Sequence, residues 1–147
     1  MSNINQVKSE YQKIVDKHST KNKVFVNSIK AFFIGGIICS LGQLLIDCYM
    51  FWGLSFPEAS TWATDSLIFI SAVMTAFNVY DNVGRFGGAG ALVPITGFAN
   101  SMVSAGMEYK KEGYIYGLGA KIFTIAGPVI VFGTISSVII GIIYYFI

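Results

Sequence analysis

Residues 86–107 carry no charged side chain over about 22 positions, long enough to cross a bilayer as a helix. Yet the same stretch is a poor helix. With the corner before it, it holds Gly84, Gly87, Gly88, Gly90, Gly97 and Gly106, which weaken helical backbone, and Pro94, which removes a donor near its middle. Hydrocarbon supplies no hydrogen bonds, so interrupted backbone survives there only when buried in protein or lining a wet cavity. The run therefore requires a scaffold of neighbouring helices and predicts a discontinuous or re-entrant piece of a permeation path. A glycine-packed span kinked at Pro94 is the plainer alternative.

The rest of the chain supplies that scaffold. Only 12% of its 147 residues are charged and 54% are hydrophobic, whereas a soluble domain carries about 25% charged residues. So short a chain cannot hide that much apolar surface from water. The expected fold is an all-α integral membrane protein. A basic amphipathic N-terminal helix over residues 1–24 leads into one polytopic membrane domain over residues 25–147. That domain has three to four transmembrane segments, one or two of them discontinuous or re-entrant.

In the arm, Ile4, Val7, Tyr11, Ile14 and Val15 recur near a heptad spacing, with Lys8, Lys13 and Lys17 around the other face. Such a helix can lie on anionic headgroups or pack on a soluble partner. The first apolar run follows this polar arm, so no cleavable signal peptide is expected. A first span extends over about residues 26–52, with Lys30 near its start, Tyr49, Phe51 and Trp52 at its far interface, and Gly35, Gly36 and Gly42 offering close helix contact. A turn over residues 53–61 leads to a second span over about 61–80, capped by Ser60 or Thr61, with Asp65 in its first turn. Thr75 and Asn78 are polar residues suited to bridging helices. Residues 114–147 divide at Gly127 and Pro128 and end in an aromatic belt. Residues 117–128 echo residues 88–97, and paired interruptions are a pointer to a transport site.

Charge is unevenly spread. The first 30 residues hold six Lys against Glu10 and Asp16; the remainder holds Arg85, Lys110, Lys111 and Lys121 against six acids. The positive-inside tendency puts the N-terminal arm in the cytosol. Two crossings return the chain to that side near Asp81. A full crossing by residues 86–107 would put Lys110 and Lys111 outside; a dip and return keeps them inside, and re-entry is favoured.

Several chemistries lack their residues. Cys39 and Cys48 lie about 13 Å apart along one helix, too far for a disulfide within the chain, and read as small packing residues. Two Cys and the lone His18 make no metal set. There is no phosphate loop, no credible Ser, His and acid grouping, and no aromatic and Arg interleaving of a nucleic-acid groove. Neither an enzyme, nor a cofactor, nor a nucleic-acid partner is expected. Arg85 can anchor at the membrane boundary or hold a carboxylate by bidentate hydrogen bonds. Lys121 can snorkel, or face an acid or water if buried.

The run over residues 81–133, above all GRFGGAGALVPITGFANS and AGPVIVFG, strongly resembles the SpoVAC/SpoVAEb family of endospore-forming bacteria. The basic arm, the first span and the total length extend the resemblance over nearly the whole chain. The long arm is similar to the AC branch rather than the shorter AEb branch. The resemblance implies a place in the spore inner membrane within the SpoVA complex, with AD and AEb as partners. It implies movement of dipicolinic acid, with calcium, into the developing spore and out at germination, and a response to membrane tension. The resemblance carries no site residues onto this chain; by their own chemistry the candidate path residues for a dicarboxylate are Arg85, Gly87, Gly88, Gly90, Pro94, Asn100, Lys121, Gly127 and Pro128, as cations, amides and half-helix ends. Asp81 and Glu108 are the oxygen donors on offer for calcium. Three or four spans cannot enclose a wide conduit, so a homo- or hetero-oligomer is expected. A tension-gated, weakly selective pore and a structural scaffold are the alternatives.

Overall fold

A computed structural model describes residues 7, 8, 10–12, 14, 15 and 23–147. The described residues of the arm are helical and exposed; Ile4, Lys13, Asp16, Lys17 and His18 lie outside the described residues. Thereafter the chain forms α1 (Val24–Phe51), α2 (Phe56–Ala76), α3 (Tyr80–Gly87), α4 (Ala89–Leu92), α5 (Ile95–Tyr109), a 3-10 turn (Lys110–Glu112), a π-helical turn (Tyr114–Gly119) and α6 (Ala120–Phe146). α1 and α6 are each long and apolar enough to cross a membrane, and α2 with α3 forms a third apolar unit, bent by 102° at its break. The fold is all-α and membrane-embedded, as the composition requires.

α2 starts five residues ahead of the expected position. Ser55 caps it: its backbone N–H and its hydroxyl both donate to the Glu58 carboxylate, at 3.0 and 2.6 Å, with Pro57 in the first turn. This reciprocal Ser-x-x-Glu arrangement satisfies the open helix end better than Ser60 or Thr61 could. The Thr61 hydroxyl instead donates back to the Pro57 carbonyl. Asp65 is consequently not in the first turn, and Glu58 takes the place beside the positive end of the helix.

α2 also ends earlier than expected. Asn78 adopts φ 57°, a left-handed conformation that Asn tolerates better than most side chains. Its N–H donates to the Thr75 carbonyl at 2.9 Å, and the Val79 N–H reaches the Met74 carbonyl at 2.9 Å. These two bonds are the Schellman ending, which satisfies the last carbonyls and turns the chain away. Asn78 thus acts through its backbone. Thr75 does bridge helices: its hydroxyl lies 2.9 Å from the Asn100 carboxamide.

The predicted division at Gly127 and Pro128 is absent. α6 runs through Pro128 without interruption. A proline costs this helix one backbone bond, that to the Thr124 carbonyl, whereas a full break would strand several polar groups in hydrocarbon. The irregularity sits earlier, in the π-helical turn, where Gly117 packs on the Tyr109 carbonyl. The echo between residues 88–97 and 117–128 is therefore not a pair of broken segments. Cys39 and Cys48 are free and exposed, so they take no part in packing within the chain.

Contact register fixes the topology. Gly42 of α1 lies against Leu67 of α2, so the end of α2, nine residues on, falls about 14 Å back toward the start of α1. There the bend occurs. α3 and α4 then pass across α1 at about the same level: Gly87 lies against Ile34, and Gly90 against Ala31 and Gly35. Ser71 meets the Thr96 carbonyl and Thr75 meets Asn100. Each contact advances by four residues in both helices, so α5 runs parallel to α2. It starts at mid-depth and heads to the face where α1 begins. Its 15 residues reach about 22 Å, too short for a full crossing. α3, α4 and α5 are thus a re-entrant hairpin, and α6 starts from the same face, with Lys121 Nζ over the Tyr109 ring at 4.3 Å.

Single cysteines at Lys23 and at Lys110, in a background lacking Cys39 and Cys48, are expected to label from the same side of sealed vesicles, with one at Ile147 labelling from the other. Labelling of Lys23 and Lys110 from opposite sides would mean that residues 80–109 cross fully.

Candidate functional site

The hairpin is seated by absence of side chains. A Cβ on Gly90 would overlap the Ala31 carbonyl, and one on Gly87 would stand 2.7 Å from the Ile34 side chain. Gly35 offers the matching small surface on α1, its Cβ position 3.4 Å from the Gly90 carbonyl. Backbone therefore meets backbone, the packing that small residues permit in membranes. Gly88 separates α3 from α4 at φ 51°, a conformation natural to glycine. Pro94 is extended and precedes the first turn of α5, where its missing N–H costs nothing. Gly97 lets that turn close on the Leu92 carbonyl.

A buried hydroxyl cluster holds the apex. Tyr80 is 3% exposed, Ser71 1%, Thr75 3% and Thr96 5%. The Tyr80 hydroxyl donates to the Ala91 carbonyl at 2.8 Å and lies 2.7 Å from the Thr96 hydroxyl. The Ser71 hydroxyl donates to the Thr96 carbonyl at 2.6 Å, and Thr75 donates to the Ser71 carbonyl at 2.7 Å. Among the described residues no buried side-chain polar atom lacks a partner. Helix ends that would otherwise be stranded at mid-depth are in this way satisfied. Below the apex lies an apolar cavity of about 280 Å³, walled by Ile34, Leu41, Ile70, Met74 and Val83 with Tyr80 and Thr96.

The candidate residues fall into separate places. Gly87, Gly88, Gly90, Pro94 and Asn100 all belong to the hairpin. Arg85 is exposed in the last turn of α3, at the outer mouth of the hairpin. Lys121 is half-buried and engages Tyr109 by a cation–π contact, so the aromatic ring takes the part expected of an acid or water. Gly127 and Pro128 sit within α6, away from any break. Asp81 and Glu108 are both exposed, and among the described residues no three His, Cys, Asp or Glu side chains converge as a metal site would need.

Sequence reasoning did not single out Tyr80, Ser71 or Thr96. Their signal was present as hydroxyls inside charge-free runs, but which of them share a face depends on the α2–α3 bend. Re-entry also sorts charge. Residues 31–84 contain no Lys or Arg, so Lys23, Lys30, Arg85, Lys110, Lys111 and Lys121 gather toward the face where α1 begins. The far end of α1 and the start of α2 carry Asp47, Glu58 and Asp65 instead.

Comparison with known proteins gives a consistent picture. The family described as SpoVAC/SpoVAEB sporulation membrane protein matches residues 27–143. Stage V sporulation protein AC of Bacillus subtilis (strain 168) is 43% identical over 140 residues, covering 95% of this chain and 93% of that protein. No solved structure matches. With the match extending from α1 to the last turns of α6, the chain belongs to the SpoVAC/SpoVAEB family of sporulation membrane proteins.

Proposed function

We propose that this chain is a conduit subunit for dipicolinic acid, with calcium as its companion ion, across the spore inner membrane. The observation that carries the reading is the re-entrant hairpin: glycine-rich backbone packed on residues 31–35 of α1, an α5 that starts at mid-depth beyond it, and the chain's only Arg at its mouth. A planar dicarboxylate wants cations at the approach and short-range donors within, and Arg matches a carboxylate with two parallel hydrogen bonds. The concentration of Lys and Arg on the α1-start face supports placing that face in the cytosol. It would also concentrate an anionic solute there. The chain acts as a path and not as a catalyst.

Assembly is part of the proposal. Residues 129–146 of α6 are exposed along their whole length, a surface that other copies, or AEb-type subunits, would cover. A soluble AD-type protein would sit at the membrane face.

Arg85→Gln and Lys121→Gln, in complexes that still assemble, are expected to lower dipicolinate flux, Arg85 the more strongly. One charge-assisted bond is worth about 1.5–3 kcal/mol, so a loss on the order of tenfold follows for Arg85. Flux into liposomes, with and without the partner proteins, is the measurement. Unchanged flux in both variants removes these side chains from the path. Passage of many unrelated solutes by the chain alone would favour an unselective pore, and no passage under any condition a scaffold.

A further inference from the structure

Arg85 has a second neighbourhood, distinct from the hairpin apex. A cleft of about 350 Å³ separates the start of α1 from α3 and α4, and Val24, Asn27, Ser28, Arg85, Phe86 and Gly88 line it. Lys30 stands beside it, its Nζ 4.8 Å from the centre of the Phe86 ring. The cleft thus combines the Arg85 cation, the hydroxyl of Ser28 and the carboxamide of Asn27 with apolar walls, and a second cation, Lys30, lies over the Phe86 ring at its side. Val24 is 66% exposed and Phe86 56%.

Its depth is set by helix length. α1 has 28 residues, about 42 Å at 1.5 Å per residue, against a hydrocarbon core of about 30 Å. Roughly 6 Å projects at each end, which puts residues 24–28 in the headgroup layer. The cleft therefore opens where lipid phosphates are the most abundant anions. Lys23, Lys30, Lys110, Lys111 and Lys121 gather toward the same face. A basic pocket between membrane helices at this level is the type of site that takes an anionic lipid headgroup.

We propose that the α1–α3 cleft binds the phosphate of an anionic phospholipid, held bidentately by Arg85 and assisted by Lys30 and Ser28. Val24 and Phe86 meet the glycerol and the first methylenes. A free small anion would use the cations and leave those apolar walls in water, which is why the occupant is a lipid. The site shares Arg85 with the proposed path, but lipid retention is measured without flux, so the two readings fail separately.

The experiment reconstitutes the full chain in nanodiscs of equal phosphatidylglycerol and phosphatidylcholine, then counts the lipids retained after mild detergent extraction. The wild type is expected to retain phosphatidylglycerol preferentially. Arg85→Gln is expected to lower that preference at least about tenfold, the value of one charge-assisted bidentate contact. Arg85→Lys should restore part of it, since a point charge lacks the fork geometry. Lys110→Gln with Lys111→Gln, on the same face but outside the cleft, should leave it intact. Ser28→Leu fills the cleft from the α1 side and should also lower it, so the test survives if Arg85→Gln does not fold. The proposal is overturned by any of three results: no preference in the wild type, equal loss in the Lys110 and Lys111 variant, or displacement of the lipid by inorganic phosphate.

Discussion

Gly90→Ala is expected to prevent the hairpin from seating, and with it the accumulation of folded protein. The added methyl would overlap the carbonyl of Ala31, which is backbone of α1 and cannot swing aside as a flexible side chain would. Overpacking a core ordinarily costs about 1–3 kcal/mol. Here either α1 or α4 must retreat, and either movement also loosens the Gly35 and Gly87 contacts, so the upper end of that range or more is expected. Gly36 supplies the control. It lies one residue along from Gly35, yet its Cβ would meet nothing within 4 Å. Gly36→Ala should be neutral or stabilise α1 by about 0.5–1 kcal/mol through helix propensity. Thermal unfolding in detergent checks both. A Gly90→Ala protein that melts with the wild type would mean that α4 does not rest on α1.

The second large effect is expected at Tyr80. Tyr80→Phe keeps the ring and removes one hydroxyl, leaving the Ala91 carbonyl and the Thr96 hydroxyl without their partner. Ala91 is 0% exposed, so no water replaces the lost donor. An unmet buried acceptor costs about 1–3 kcal/mol. Thr96→Val should cost a comparable amount. The double variant should cost less than the sum, because both changes break one shared contact. Strict additivity would show that the two hydroxyls do not interact. Hydrogen exchange at residues 91–97 should quicken in either single variant, since these bonds hold the apex closed.

How much of this was readable beforehand depends on the range of the interaction that decides it. The need for a broken segment followed from Pro94 and the glycines, because backbone satisfaction in hydrocarbon is a local demand. Re-entry followed from Lys110 and Lys111, because charge sidedness counts loops and does not need contacts. The 102° turn at Asn78 was not readable. Asn in an apolar run looks like a bridging side chain, and only the carbonyls of Met74 and Thr75 in space reveal the left-handed cap. The early start of α2 was readable in principle, since Ser55 and Glu58 have capping-box spacing, but Pro57 drew attention to a turn. Gly127 with Pro128 erred the other way. Proline reads locally as a breaker, yet a long apolar helix tolerates one lost bond.

For the candidate site the division is similar. Glycines that meet a neighbour's backbone were visible as glycines, while the identity of that neighbour, Ala31 and Gly35, was not. Lys121 read as a cation that would snorkel or, if buried, face an acid or water, and it found the face of Tyr109. The ring sits twelve residues earlier, across the 3-10 and π-helical turns, a separation that no periodicity argument connects.

The dependence of the hairpin on α1 has a consequence for biogenesis. Residues 80–109 contain no helix long enough to cross a membrane alone, and their backbone is satisfied only once a groove exists to receive it. Translation delivers α1 and α2 first, so the groove is built before its occupant emerges from the ribosome. Moving the glycine-rich segment ahead of them, by circular permutation, should leave it unable to integrate even though every amino acid is retained.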